Sequence, residues 1–318
     1  MTDTPDTRYG APCSDSRGQV VLHPARASYV ATVKALLDDT FTVCRDLTAV
    51  DYLQFPNRSL PAGVVGERFE VVANFLSITK RESIRVRVQV PADDKRIKVE
   101  TVTVQSPQGN GSIKGYFAKP AKANSKIGAI LVIHENRGLN PHIEDVARRF
   151  ALQGFMALAP DALTSVGGFP GDDYRGGVAF SKMDQKKLAE DWHAAIMYLK
   201  NRPDCTGKVC VTGFCYGGGV SNALAVRMGS DLAAAAPFYG GPPAKEDVAK
   251  IKAAIMVHHG ELDTRLASTW PAYEAALKAA NVPCEGYIYP SAVHGFNCDA
   301  TPERYNKAAA DLAWQRTI

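Results

Sequence analysis

Residues 208–228 read KVCVTGFCYGGGVSNALAVRM, a β-branched apolar run that meets a helix-forming run through Gly213-Phe214-Cys215-Tyr216-Gly217. A nucleophile on such a strand-to-helix turn is held in a strained backbone conformation, and its neighbours two residues away must be small to avoid collision. Gly213 and Gly217 meet that demand. The sulfur would then stand exposed at a helix N-terminus, where the backbone dipole favours a thiolate and, later, an oxyanion. The same five residues would also suit a buried cysteine in a glycine-rich packing contact, because free cysteine is among the most buried residue types. The surrounding sequence decides between the two.

Working outward, IGAILVIH (127–134) reads as a buried strand, HIEDVARRFALQGF (142–155) as an amphipathic helix and FMALAPDAL (155–163) as another strand. The alternation continues through the strands AAAAPFYG (233–240), AAIMVHHG (253–260) and CEGYIYP (284–290) and the helices at 183–201, 268–281 and 302–317. Short apolar strands alternating with helices predict an α/β fold whose mostly parallel sheet is covered on both faces. Its reactive groups should sit in loops at the carboxyl ends of the strands. Ahead of these elements, VETVTVQS and IKGYFAKP flank PQGNG (107–111), whose Gly-Asn-Gly predicts a hairpin turn.

Two such loops complete a constellation. ELDTR (261–265) follows a strand and carries Asp263; SAVHGF (291–296) follows the next and carries His294. Nucleophile, acid, histidine is the chain order of the α/β-hydrolase fold, with each member just beyond a strand. Taken singly, Asp263 could be a helix cap and His294 a loop histidine. Together with Cys215 they predict a thiol activated by the His294 imidazole, with Asp263 fixing its tautomer. The backbone N–H groups of Tyr216 and Asn136, the latter in the loop after the first core strand, are the expected oxyanion donors. In that loop, LVIHENRGLN (131–140), Glu135 is poorly explained by packing and is a candidate site carboxylate; pairing with Arg137 on the surface is the plainer alternative. His134, His258 and His259 read as structural, because adjacent histidines on a strand face opposite ways, so no metal site is expected.

Composition narrows the classes. The chain has 318 residues, 46% hydrophobic and 22% charged, which suits a globular protein. A net charge of +4 from scattered basic residues is too small for a nucleic-acid footprint, so small molecules are the expected partners. Seven cysteines without a CxxC pair suggest neither a disulfide framework nor a zinc knuckle. The N-terminus lacks a secretory pattern and no window reaches the ~18 apolar residues of a membrane span, so a cytoplasmic location is expected.

The first part of the chain reads differently. Residues 1–28 are polar and rich in Pro, Ser, Asp and Arg, a composition expected to form a disordered tail. From Tyr29 a helix, then the strands TVCRDLTAVDYL (42–53), RFEVVANFLSI (68–78) and ESIRVRVQV (82–90), make a small α+β segment over 29–94. PADDKR (91–96) reads as a linker to an α/β domain spanning 95–318.

At HENRGLNPHIEDVARRFALQGFMALAPD (134–161), GFCYGGG (213–219), ELDTR and AVHGF (292–296), the chain resembles the dienelactone hydrolase (carboxymethylenebutenolidase) family, and within it the bacterial YghX-like branch. The resemblance runs from about Lys98 onward. It implies an α/β-hydrolase acting on small lactones or activated esters without a cofactor, with Cys215 as nucleophile, Asp263 and His294 completing the triad and Glu135 contacting the thiol. Arg137 is a candidate for substrate binding. Dienelactone hydrolases proper carry an arginine shortly after the histidine; here Asn297 and Cys298 occupy that region, so dienelactone itself is not carried over as a substrate. Residues 29–94 are similar to the early part of the 30-kDa subunit of NADH-quinone oxidoreductase, the proton-pumping respiratory complex, and the later half of that subunit has no counterpart here. That implies an incomplete unit, joined by fusion near QVPADD (89–94), and leaves a respiratory-complex association as the alternative function.

Overall fold

A computed structural model describes residues 6–51, 58, 60–90 and 96–318. The chain divides into two compact units, Met1–Asp94 and Lys95–Ile318. The PADDKR linker falls almost wholly outside the described residues, as do the last two residues of the TVCRDLTAVDYL strand.

The first unit is built from β1 (Thr7–Arg8), β2 (Ala11–Ser16), β3 (Gln19–Leu22), α1 (Tyr29–Asp38), β4 (Val43–Asp51), β5 (Phe69–Ser77) and β6 (Glu82–Val90). They form one six-stranded sheet in the order β1-β2-β3-β6-β5-β4. The expectation of a tail over 1–28 is therefore corrected for the described residues from 7 to 28. GQVVL (18–22) supplies Val21 and Leu22, both essentially fully buried, and β3 joins β6 in parallel. The cause is local: a short apolar strand is diluted when composition is averaged over a polar stretch. The unit has a buried core of its own, in which Ala11, Leu22, Leu36, Phe41 and Val86 cluster.

The second unit opens with the hairpin β7 (Ile97–Ser106) and β8 (Gly111–Pro120). The alternating part follows: β9 (Ile127–Ile133), α2 (Pro141–Leu152), β10 (Met156–Pro160), α3 (Asp173–Phe180), α4 (Gln185–Lys200), β11 (Cys205–Phe214), α5 (Tyr216–Met228), β12 (Ala234–Phe238), β13 (Ala254–Gly260), α6 (Thr264–Ala267), α7 (Trp270–Ala279), β14 (Cys284–Tyr289) and α8 (Lys307–Thr317). The sheet order is β14-β13-β12-β11-β9-β10-β8-β7. Strands β14 to β10 in that order pair in parallel, and the hairpin adds antiparallel through β8. Both faces are covered, which is why β9 and β10 read as unbroken apolar runs. Along β9, Ala129, Leu131 and Ile133 belong to one buried cluster with Trp192 of α4, Leu224 of α5 and Leu277 of α7. Ile130 and Val132 point the other way, to Phe150 of α2 and Ala313 of α8. Each fully buried Leu, Ile or Val contributes roughly 1.5–3 kcal/mol over an exposed one.

The segment TSVGGFPGDDYRGG (164–177), whose side chains the sequence alone could not position, contains a helix. Asp172 caps α3 by accepting from the Arg175 N–H at 2.8 Å. That cap offsets part of the helix cost of the two glycines of DYRGG, ~1 kcal/mol each.

Two core histidines give the fold a pH dependence. His258 stacks on Phe238 at 4.3 Å and is bonded to Tyr289 Oη (2.9 Å) and Thr317 Oγ1 (3.1 Å). Burial pushes His258 down to about 3 and His259 down to about 4. In the unfolded chain both would titrate near ~6.5. The unfolded state then takes up protons first, so stability is full above about pH 6.5 and is lost as the pH falls toward the folded values, at ~1.4 kcal/mol per unit for each imidazole. Thermal melts from pH 7 to 4.5 should show a steadily falling midpoint, with a shallower fall in His258→Gln; a flat profile would contradict this.

Candidate active site

β11 runs straight into α5 with only Cys215 between them, and the backbone must reverse there. Cys215 adopts φ 54° and ψ −108°, a region that L-residues avoid unless the surroundings impose it. The imposition is visible. A Cβ on Gly213 would fall onto the Gly217 backbone, and one on Gly217 onto the Ile133 carbonyl, so both glycines are needed for the helix to approach the sheet. The Cys215 N–H donates to the Phe238 carbonyl at 3.1 Å, pinning the turn to β12. Its side chain is half-buried and lines a cavity of about 430 Å³ together with His294, Tyr239 and Arg265.

His294 reaches this turn from the loop after β14. Its Nδ1 and Asp263 Oδ2 are 2.6 Å apart, which fits Nδ1–H donating to the carboxylate and leaves Nε2 for the thiol. Asp263 is buried and, although it precedes α6, its side chain makes no capping bond there. The carboxylate is committed to the imidazole instead. Hydrogen bonding to Cys215 is the largest influence on His294, and with Asp263 it holds the imidazole above its ordinary value in spite of partial burial. Cys215, His294 and Asp263 are therefore brought together.

Of the remaining expected residues, Tyr216 lines the same cavity, and Asn136, Glu135 and Arg137 lie in the loop after β9. Tyr216 begins α5, so its N–H belongs to the helix end that has no preceding turn to bond to. Its ring turns inward, where Oη accepts from Trp192 Nε1 at 3.2 Å and burial raises the phenol to about 12. Asn136 lies in the loop after β9, and its N–H makes no hydrogen bond among the described residues. Glu135 is buried, 8% exposed, with Arg137 Nε at 3.9 Å. The resemblance implies contact with the thiol, yet no hydrogen bond joins Glu135 and Cys215 among the described residues; His294 lines the same cavity as Cys215. Arg137 donates to Asp173 at 2.8 Å and is not among the cavity-lining residues. The cation at the cavity is Arg265 on α6.

Other residues here escaped the sequence reading. Tyr239, at φ 37° just after β12, places its ring 5.0 Å from His294 and its buried hydroxyl has no hydrogen-bond partner among the described residues. Burial, with Glu135 and both Cys298 and Cys215 nearby, drives that phenol well above its usual range. His259, read as purely structural, shares the electrostatic surroundings of Asp263 and His294. Cys298 neighbours His142, whose Nδ1 is 2.9 Å from Asp299. Burial is the largest single influence and opposes ionisation of that thiol, but the hydrogen bond and charge of His142 together with a hydrogen bond from Thr301 outweigh it, and the net direction is down. A larger cavity of about 740 Å³ beside β7 and α4 contains no nucleophile paired with a base, so size alone does not mark the reactive site.

Comparison with known proteins places the chain among families. The profile of the respiratory-chain NADH dehydrogenase 30 Kd subunit matches residues 22–110, a longer stretch than 29–94. The Escherichia coli K12 protein named "Putative hydrolase fragment YghX" is 57% identical over 88 residues, covering 28% of this chain and 75% of its own. A second E. coli K12 protein, named "Putative carboxymethylenebutenolidase", is 30% identical over 228 residues, covering 67% of this chain and 83% of its own. The dienelactone hydrolase structure from Anabaena variabilis shares the fold at a TM-score of 0.54 and 21% identity, over 70% of this chain and 96% of that one. The dienelactone hydrolase profile itself matches residues 113–318, a span that contains residues 215, 263 and 294: the chain belongs to the dienelactone hydrolase family.

Proposed function

We propose that this chain, a hydrolase of the dienelactone hydrolase type, cleaves small lactones or activated carboxylic esters through a thioester on Cys215. The single observation that supports this most is a strained Cys215 lining one cavity with an imidazole that is itself tied to Asp263 at 2.6 Å. His294 takes the thiol proton as sulfur attacks the carbonyl carbon, and Asp263 stabilises the imidazolium that forms. Glu135 is a second buried acceptor for that proton. The oxyanion is held by the N–H groups of Tyr216 and Asn136. When the carbonyl re-forms, the alkoxide leaves with the proton from His294; in a lactone it stays tethered to the acyl group. Water, deprotonated by His294, then attacks the thioester and releases the acid and the thiol.

Cytoplasmic residence is part of the proposal, supported by seven free thiols. Among the described residues no helix is long and apolar enough to cross a membrane. The test is a panel of aryl esters and lactones compared between the parent and Cys215→Ser: turnover of several members by the parent, lost or severely reduced in the variant, is expected. No turnover of any member, or equal turnover by both, would contradict the reading. A second reading, supported by the 30 Kd subunit profile over residues 22–110, takes the N-terminal part as an association module. Co-purification of the full chain with respiratory-complex subunits would support it.

A further inference from the structure

The loop that carries Asn136 is short, exposed on one side and has few bonds of its own. Most of what holds it comes from the segment 161–180. Asp161 accepts from Leu139 N (3.3 Å), Leu163 N (3.0 Å) and Phe169 N (2.8 Å), tying the loop to the start of that segment. At the first residue of α3, Asp173 reaches back with both carboxylate oxygens. One accepts from Arg137 Nη1 at 2.8 Å, the other from Asn140 Nδ2 at 3.1 Å. Asn140 in turn caps α2 by accepting from Ile143 N at 3.2 Å. α3 lies directly against the loop, for a Cβ on Gly176 would collide with the Arg137 carbonyl. Asp173 therefore grips the loop at two points, immediately after Asn136 and at its far end.

We propose that Asp173 is a positioning residue of the oxyanion site, its carboxylate bridging Arg137 and Asn140 so that the free Asn136 N–H is held facing the carbonyl that Cys215 attacks. This rests on the thioester reading above and deepens it by naming what holds the donor. The Arg137–Asp173 pair then serves the loop more than the substrate. Catalysis by an oxyanion donor depends on the donor being in place before the charge develops. A side chain that only orients the loop should act on the acyl-transfer transition state and leave the nucleophile untouched.

The experiment uses the full chain and two readouts. Hydrolysis of p-nitrophenyl acetate passes through an oxyanion; alkylation of Cys215 by iodoacetamide is a displacement at saturated carbon and does not. For Asp173→Ala the expected result is a fall in kcat of about tenfold or more, short of the ~10²–10³ for deleting a donor outright, with KM little changed and the alkylation rate that of the parent. Asp173→Asn keeps one acceptor oxygen and should fall between, which keeps the test open if the alanine variant folds poorly. Unchanged kcat in both variants, or alkylation slowed in step with hydrolysis, would overturn the positioning role. Cys215→Ala, measured alongside, separates the two failures. If it still turns over ester, the thioester reading falls and the positioning role with it. If it is inactive while Asp173→Ala keeps its full kcat, only the positioning role falls.

Discussion

Cys215→Ala should lower kcat for p-nitrophenyl acetate by at least ~10³-fold, leaving only what the oxyanion donors and binding supply over water. The argument is geometric. Alanine removes the one nucleophilic atom at the turn but keeps φ 54° and the glycine packing that permits it, so α5 still begins at residue 216. His294 and Asp263 remain 2.6 Å apart and could still polarise a water, but that water would lie in a cavity shaped around sulfur. Steady-state kinetics with an active-site titration of the parent is the measurement. A loss smaller than about tenfold would mean that the chemistry does not pass through this thiol.

The second large effect is expected at Asp263→Asn, with kcat/KM falling by ~10³–10⁴-fold, the size seen elsewhere when an imidazole loses its orienting carboxylate. Here the carboxylate is buried, so its charge is poorly screened, and it accepts the Nδ1 proton that fixes which nitrogen faces Cys215. An amide can present its NH₂ instead and favour the wrong tautomer. It also takes away one of the influences that hold His294 above its ordinary value, so the imidazolium formed on taking the thiol proton becomes less stable. Because the carboxylate makes no capping bond to α6, the melting temperature should change far less than the rate. A variant that melts early and loses activity only in proportion would mark Asp263 as a fold residue.

How much of this was legible in the sequence depended on whether the controlling interactions were local. The elbow was legible because Gly213 and Gly217 are required by the turn itself, and the parallel sheet because β9 and β10 are buried on both faces and read as apolar runs. Order along the chain then located Asp263 and His294. The strands of 7–22 were missed because a polar composition conceals a four-residue strand whose stability comes from β6, more than sixty residues away. α3 was missed because its stability comes from a cap and from Asp173 bonding to residues some 35 positions earlier. Arg265 in place of Arg137 at the cavity, and Tyr239 beside His294, arise from tertiary placement, for which no periodicity gives a signal. A tyrosine just after a strand end, in the same tier as the elbow, was the one available hint.

The central claim is that substrate carbon becomes bonded to one sulfur during turnover. Intact-mass analysis after rapid acid quench of a reaction with p-nitrophenyl acetate, followed by peptide mapping, tests it most directly. The account predicts a single added acetyl group, located on Cys215, formed in a burst and lost again as substrate is exhausted. Turnover at full rate with no acetylated protein at any quench time and no burst, or with the acetyl group on another residue, would contradict it.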